Sequence, residues 1–544
     1  MGIFIHMSIS KSVTVDEWKA VYEETLALAE ALPFAERRKV VCNGIKTICL
    51  VPTVEHEETY GYNHEKSRIG WFAEGDYETM HTAEQYSLFR DFIKEDNVVE
   101  EAKDAMWGVF PAYLDSFSHE DVRCSQIFDI WGAKTQGEPY HMYLLAIACL
   151  IEARLGEKAF VYGDITRGQC KEAVEIANQY LDVPICVPDR CDYRRFQKRV
   201  SKLEISEKEK LEVFQVLYLG TKNAECGQYL RETYSEEVYN EYWKDKFENC
   251  FIYTRTFNRA IREYLVQDFN FRTLCRLVDY NDENGIPQYD EFVKRIMDAK
   301  LHIKNKNCGD FLQIDQEDTA PYSIYSLFAQ IAFMGAENKK IDRYIPLEEL
   351  RESLVCELGD KCDVNHIIEE YLQKEQREEE IKISKGITSE KLKTFCEQDA
   401  AESFNQVMEI KRQDIIENYE KYDITNYEEL LDYKADDCIE PDLQEALIKS
   451  FAFYTNLLEE DTYKELMKQS ANSRCQWLVE QNRCLLIRDK DWSRIFTDIE
   501  NNETSFARYY SMVRVKLTNK DLIDMVKAII LNDELFEYCK KNNR

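Results

Sequence analysis

The chain has 544 residues, and 102 Asp and Glu against 70 Lys and Arg give it a formal net charge of −32 at pH 7. A surface that negative repels phosphate backbones and anionic lipid headgroups, so nucleic-acid and membrane-surface roles are disfavoured and basic partners favoured. A hydrophobic fraction of 44% with 12% aromatics excludes a disordered chain, and 18 Gly and 10 Pro are too few to turn a sandwich, barrel or propeller.

The first element is a strand. Ile3, Ile5, Met7 and Ile9 alternate with Phe4, His6, Ser8 and Ser10, the period of two that leaves one face buried. Thr14 and Glu17 form a capping box for a helix to about Ala31, with Val13 and Trp18 at the staple positions. Asn43-Gly44 between two apolar stretches predicts a tight hairpin. A further strand is expected around Ile69 to Phe72. Trp107, Phe110, Tyr113, Phe117 and Trp131 read as core or interface aromatics.

A buried helix is expected from Tyr140 to Arg154, stopped at Gly156, followed by a strand at Ala159–Gly163. Thr166 and Gln169 make a second capping box, for a helix to about Leu181, and VPICVP reads as another strand, completing a short parallel unit. From Ser206 to Leu372 the pattern is helical. The charged run 374–386 is a boundary or a solvated helix face. Beyond it, Leu443, Leu447, Phe451, Tyr454 and Leu458 share one helix face, and a last helix starts at Thr518 and Asp521 and runs through Ile523, Val526, Ile530 and Leu531.

The expected fold class is therefore α+β and predominantly helical. A small α+β domain over residues 1–135 (strand, helix, hairpin, strand) leads into a short α/β unit over 136–205. A helical region over 206–373 and a helical C-terminal domain over 387–544 follow.

The 18 cysteines are scattered from Cys42 to Cys539 with no C-x-x-C pair and no Cys/His quartet at zinc spacing; Cys186 and Cys191, with Cys170 upstream, come nearest. Cys49, Cys149 and Cys484 sit in apolar context, where reduced cysteine packs as a small hydrophobe. The N-terminus lacks the basic and apolar regions of a secretory signal, His6 breaks the myristoylation pattern, and the apolar run Met142 to Ile151 is too short to span a bilayer. The expected location is the cytoplasm.

Phosphate-loop, dinucleotide, serine-hydrolase, zinc-protease and kinase motifs do not occur. Two local patterns carry chemistry. In Gly163–Cys170, a loop leaves a strand and opens a helix, where amide N–H groups and the helix dipole favour an anion. There Gly163, Thr166, Arg167 and Gly168 are ligand-binding candidates. Asp164 would position or accept a proton, Arg167 would hold an anion, and Cys170 would be a thiolate nucleophile. The opposing reading is a cap and a packed cysteine. Asp279–Glu291 partly matches a calcium loop, with Asp282, Asn284 and Glu291 at liganding positions and Gly285 at the sharp turn. Tyr280 at the first position and Pro287 at the eighth depart from that pattern, and an acidic turn between helices is the alternative. The basic stretch Tyr193–Lys202 would turn Phe196 and Val200 inward and its cations outward or onto carboxylates. No cofactor is expected.

The stretch GEPYHMYLLAIACLIEARLGEKAFVYGDITRGQC and the opening through RIGWFAEGDYETM are similar to an uncharacterised cytoplasmic protein family of Gram-positive, clostridial-type bacteria. The resemblance brings no activity and no site residues. The function expected is a non-catalytic interaction or regulatory protein with an acidic surface, such as an inhibitor, immunity-type or defence-associated factor. Its partner would be another, basic protein rather than nucleic acid or membrane. The alternative is an enzyme acting on a small anionic or nucleotide-like ligand at the Gly163–Cys170 loop.

Overall fold

The computed structural model describes residues 3–60, 66–91, 104–109, 127–248, 250–304, 341, 343–384, 430–439, 441–482, 485–514 and 520–543. Phe110, Tyr113, Phe117, Cys484, Thr518 and the last two residues of the 374–386 run lie outside them. The strands are β1 (Phe4–Ser10), β2 (Phe34–Cys42), β3 (Ile45–Pro52), β4 (His56–Tyr60), β5 (Lys66–Asp76), β6 (Thr82–Phe89), β7 (Ile127–Lys134) and β8 (Ala159–Gly163). Most of the other described residues are helical, so the class is α+β and predominantly helical. The chain forms two compact units. The first comprises Met1–Glu17, Ile93–Gly132 and Leu145–Phe404; the second comprises Trp18–Phe92, Ala133–Leu144 and Asn405–Arg544.

In the first unit three strands lie in the order β7-β1-β8, with β1 antiparallel to β8 and His6 opposite Tyr162. Ile5, Met7 and Ile9 of β1, and Ile3 just before it, are buried as the alternation requires, and Ser8 and Ser10 are buried as well. The Thr14–Glu17 box closes in both directions: the Thr14 N–H donates to Glu17 Oε2 at 2.8 Å and the Glu17 N–H to Thr14 Oγ1 at 3.2 Å. Helices then follow one another from Arg167–Asn178 to Val364–Ser384. Side chains accept the first free amide N–H groups at Ser206, Asn223, Thr254 and Asn270, each such cap contributing about 1 kcal/mol. The shared core is aromatic, built around Trp243, Phe247, Phe257, Tyr264, Phe269 and Phe292. As far as Ser384, the charged run continues the Val364–Ser384 helix.

The segment after the Arg167–Asn178 helix differs from expectation. VPICVP forms no strand, and β8 runs antiparallel to β1, so the parallel unit does not exist. Pro184 and Pro188 have no N–H to give a ladder. Side chains take the backbone groups instead: Asn178 bonds both the N–H and the C=O of Ile185, and Arg195 donates to the Val187 carbonyl at 2.8 Å.

The second unit holds a sheet in the order β3-β2-β5-β4, with β6 also on β5. Asn43 at φ 47° and Gly44 at φ 82° make the mirror-image turn that fits strand twist, closing the β2–β3 hairpin in register from Cys42/Ile45 to Ala35/Pro52. This hairpin packs on the C-terminal helices. Cys49 and Leu50 share a core with Trp492, Ile495, Phe496 and Tyr510. The Leu50 N–H donates to the Ile487 carbonyl at 2.9 Å, and Asn43 Nδ2 reaches Thr497 Oγ1 at 3.1 Å. On the Pro441–Asn456 helix Leu447, Phe451 and Tyr454 point into that core with Leu443 packed beside it; Leu458, expected on the same helix, packs beside it from the short turn Leu457–Glu459 that follows. Lys520–Leu531 follows the expected final pattern, and a further helix, Asp533–Asn542, starts from Asn532, whose side chain accepts the Leu535 N–H. Among the described residues no helix is long and apolar enough to cross a membrane.

Candidate functional site

The Gly163–Cys170 loop joins β8 to the Arg167–Asn178 helix, as the sequence requires. Gly163 has φ +114°, and a Cβ there would lie 2.6 Å from the Phe4 carbonyl oxygen and 3.3 Å from His6 Cδ2. Asp164 is exposed, but its carboxylate accepts the Phe4 N–H at 2.9 Å while its own N–H donates to the Phe4 carbonyl at 2.9 Å, fastening the end of the sheet. Thr166 is the N-cap: its Oγ1 accepts the Gln169 N–H at 3.0 Å, and Gln169 Oε1 accepts the Thr166 N–H at 2.9 Å. Gly168, Gln169 and Cys170 are buried on the inner face of the helix, and Arg167 is half-buried.

Cys170 contacts two other buried thiols, Cys149 and Cys191, through sulfur hydrogen bonds. The bond with Cys149, then burial, holds the Cys170 thiol well above its usual range, although Cys191 acts in the opposite sense. Burial of Cys170 leaves the thiol protonated and away from solvent, the opposite of what a nucleophile needs. Asp164 and Cys170 therefore serve the sheet end and the core respectively, and the loop does not bring them together on one surface with Arg167.

Two clusters beside the loop were invisible to local sequence patterns. Arg199 is buried and chelates Asp104 with two bonds of 2.8 and 2.9 Å, lies 3.4 Å from Glu152, and donates to the Ala159 carbonyl at 2.9 Å. Glu152 also accepts the Val161 N–H at 2.8 Å. Burial disfavours the charge on Arg199, but Asp104 and Glu152 more than offset it and raise its pKa. Burial raises the Glu152 pKa, opposed by Arg199. The second cluster is a ring stack on β1 and β8, with His6 between Phe4 at 5.6 Å and Tyr162 at 4.8 Å. Ser8 and Tyr162 both donate to Asp129, at 2.5 and 3.4 Å. Burial lowers the His6 pKa, with Asp129 and Asp164 opposing it. Nothing in the spacing of Asp104, Glu152 and Arg199 announces their meeting; only the alternation of β1 places His6 and Ser8 on one face.

The Asp279–Glu291 segment is a tight turn in which the Asp282 and Glu291 carboxylates are engaged by partners within the protein. Asp282 Oδ1 accepts the N–H groups of Asn284 and Ile286 at 2.9 and 2.8 Å, Asp282 Oδ2 accepts from Gln288 at 3.3 Å, and Gly285 takes φ +75°. Glu291 pairs with Arg295 at 2.7 Å. Among the described residues no group of three or more His, Cys, Asp or Glu side chains could hold an ion. On the Tyr193–Val200 helix Phe196 and Val200 face inward as expected, while Arg194 and Arg195 reach Glu225 and Asp189 at 3.9 and 3.5 Å. Arg199 alone turns into the core.

Compared with protein-family models, curated proteins and solved structures, the chain matches none of them.

Proposed function

We propose that this chain is a non-catalytic interaction or regulatory protein of the cytoplasm, which binds a basic protein through its acidic surface. Inhibitor, immunity-type or defence-associated action fits that description. The observation that carries the reading is the net charge of −32. It is carried outward, as on the helices Leu347–Leu358 and Val364–Ser384, where Glu348, Glu349, Glu352, Glu369 and Glu370 are all exposed. Opposite charge speeds encounter and selects among partners. The Gly163–Cys170 loop supports the same reading, because Asp164, Thr166 and Gln169 are used to hold the fold and Cys170 is enclosed.

The test pairs two measurements. Surface plasmon resonance of the immobilised chain should show binding of a basic protein such as lysozyme but not of an acidic one such as ovalbumin, and the signal should weaken steeply with added salt. A thermal-shift panel of nucleotides and sugar phosphates should leave the chain unmoved. A ligand at 100 times its dissociation constant would add about 2.7 kcal/mol. Such a shift, abolished by Arg167→Ala, would overturn the proposal in favour of a ligand-handling enzyme at the Gly163–Cys170 loop.

A further inference from the structure

Phe251 and Tyr253 stack with ring centroids 5.7 Å apart and planes 2° from parallel, yet they remain 39% and 44% exposed. Aromatic residues with exposed area are enriched at contact surfaces. The pair is tied to the Asp279–Glu291 turn, because Tyr253 Oη donates to Glu283 Oε2 at 2.9 Å. At the tip of that turn Ile286 is 57% exposed. Around it lie the exposed carboxylates of Asp279, Glu283 and Asp290.

We infer that the Phe251–Tyr253 stack, Glu283 and Ile286 form the docking face for a cationic segment of a partner protein, which lays an arginine on the rings and against the carboxylate. This rests on the acidic-surface reading above and names its contact site. A guanidinium satisfies both halves of the surface at once: its plane stacks on an aromatic face and its N–H fork meets a carboxylate. Ile286 offers a neighbouring aliphatic contact. The face is held in shape before a partner arrives. Asp282 anchors the turn through the Asn284 and Ile286 N–H groups, and the Gln288 N–H donates to the Tyr280 carbonyl at 2.7 Å, so little ordering entropy is lost on binding. Charge argues against the other occupants. A second copy of a chain carrying −32 would be repelled, and so would a nucleic acid.

The experiment is fluorescence anisotropy with a labelled arginine-rich peptide and its lysine-for-arginine counterpart, titrated with the full chain at low salt. Four proteins are compared: wild type, Phe251→Ala/Tyr253→Ala, Glu283→Gln, and Glu348→Gln/Glu352→Gln, which removes more charge but elsewhere on the surface. The arginine peptide should bind wild type more tightly than the lysine peptide, since the ammonium lacks the stacking plane. Removing both rings should weaken it about tenfold. Glu283→Gln should weaken it less, and the distant pair hardly at all. Should the distant pair cost as much as the ring pair, or the two peptides bind alike, the docking face is wrong while the acidic-surface reading stands. Failure of wild type to bind either peptide overturns both. Stabilisation by Ca²⁺ that is lost in Asp282→Asn would also overturn it, by assigning the turn to a cation.

Discussion

A single missing methyl group decides how the chain leaves β8. At φ +114° Gly163 lets the Phe4 carbonyl approach, and any β-carbon would be both strained and too close. Gly163→Ala is expected to cost about 1–3 kcal/mol, read from the urea midpoint. Cys170 lies in the first turn of a helix, as its sequence position implied, but a helical turn has an inside and an outside. The capping box orients Gln169 and Cys170 inward, and a four-residue pattern does not report which side faces the core. The consequence is measurable by alkylation and mass spectrometry of the native protein. Among the described cysteines the exposed Cys186, Cys356 and Cys438 should react promptly, whereas Cys149, Cys170 and Cys191 should react only after unfolding.

At the scale of elements, the signals that were read correctly are those with a local cause. Two capping boxes, the Asn43-Gly44 turn and the alternation of β1 each depend on residues within a few positions of one another. β4, β6 and β7 carry weaker patterns: HEETY is nearly all polar, and it forms a strand because β5 lies alongside it. The buried Arg199 network could not be read either, since Asp104 and Arg199 are joined only by the tertiary fold. Arg199→Ala, which leaves Asp104 and Glu152 without their cation, should lower stability by about 3–5 kcal/mol, checked by chemical denaturation. β2 carries a buried acid of another kind. Burial, opposed by Arg38, pushes the Glu36 pKa from 4.5 to about 7. Between those values the folded state keeps a proton that the unfolded chain has lost, so this residue's contribution to stability falls as pH rises from 4.5 to about 7. The loss amounts to about 3 kcal/mol at most. Denaturation at pH 5 and pH 8 should therefore show a shallower decline in Glu36→Gln than in wild type.

For the whole molecule, composition indicates a helix-rich acidic protein, and the structure has that class. The partner is not written in the composition, because a net charge selects a sign and not a shape. The stacked rings that would supply shape lie in Phe251-Ile-Tyr253, three residues that carry no periodic signal. Charge also bears on stability: a folded chain carrying −32 repels itself. Raising the salt concentration should increase the melting temperature while weakening attachment to basic proteins. Differential scanning fluorimetry and binding measured over one salt series would show the two trends running in opposite directions.

The two units each draw on separated stretches of the chain, and the second joins its sheet to helices that lie more than 400 residues further along. During synthesis, β2 and β3 emerge long before the helices they pack on, and Cys49 and Leu50 wait for Trp492, Ile495 and Phe496 to leave the ribosome before their shared core can close. That unit therefore cannot complete until those far-separated helices have been made. A chain stopped before Asp489 would expose an unfinished hairpin and would be a substrate for chaperones and proteases, whatever the first unit had achieved by then.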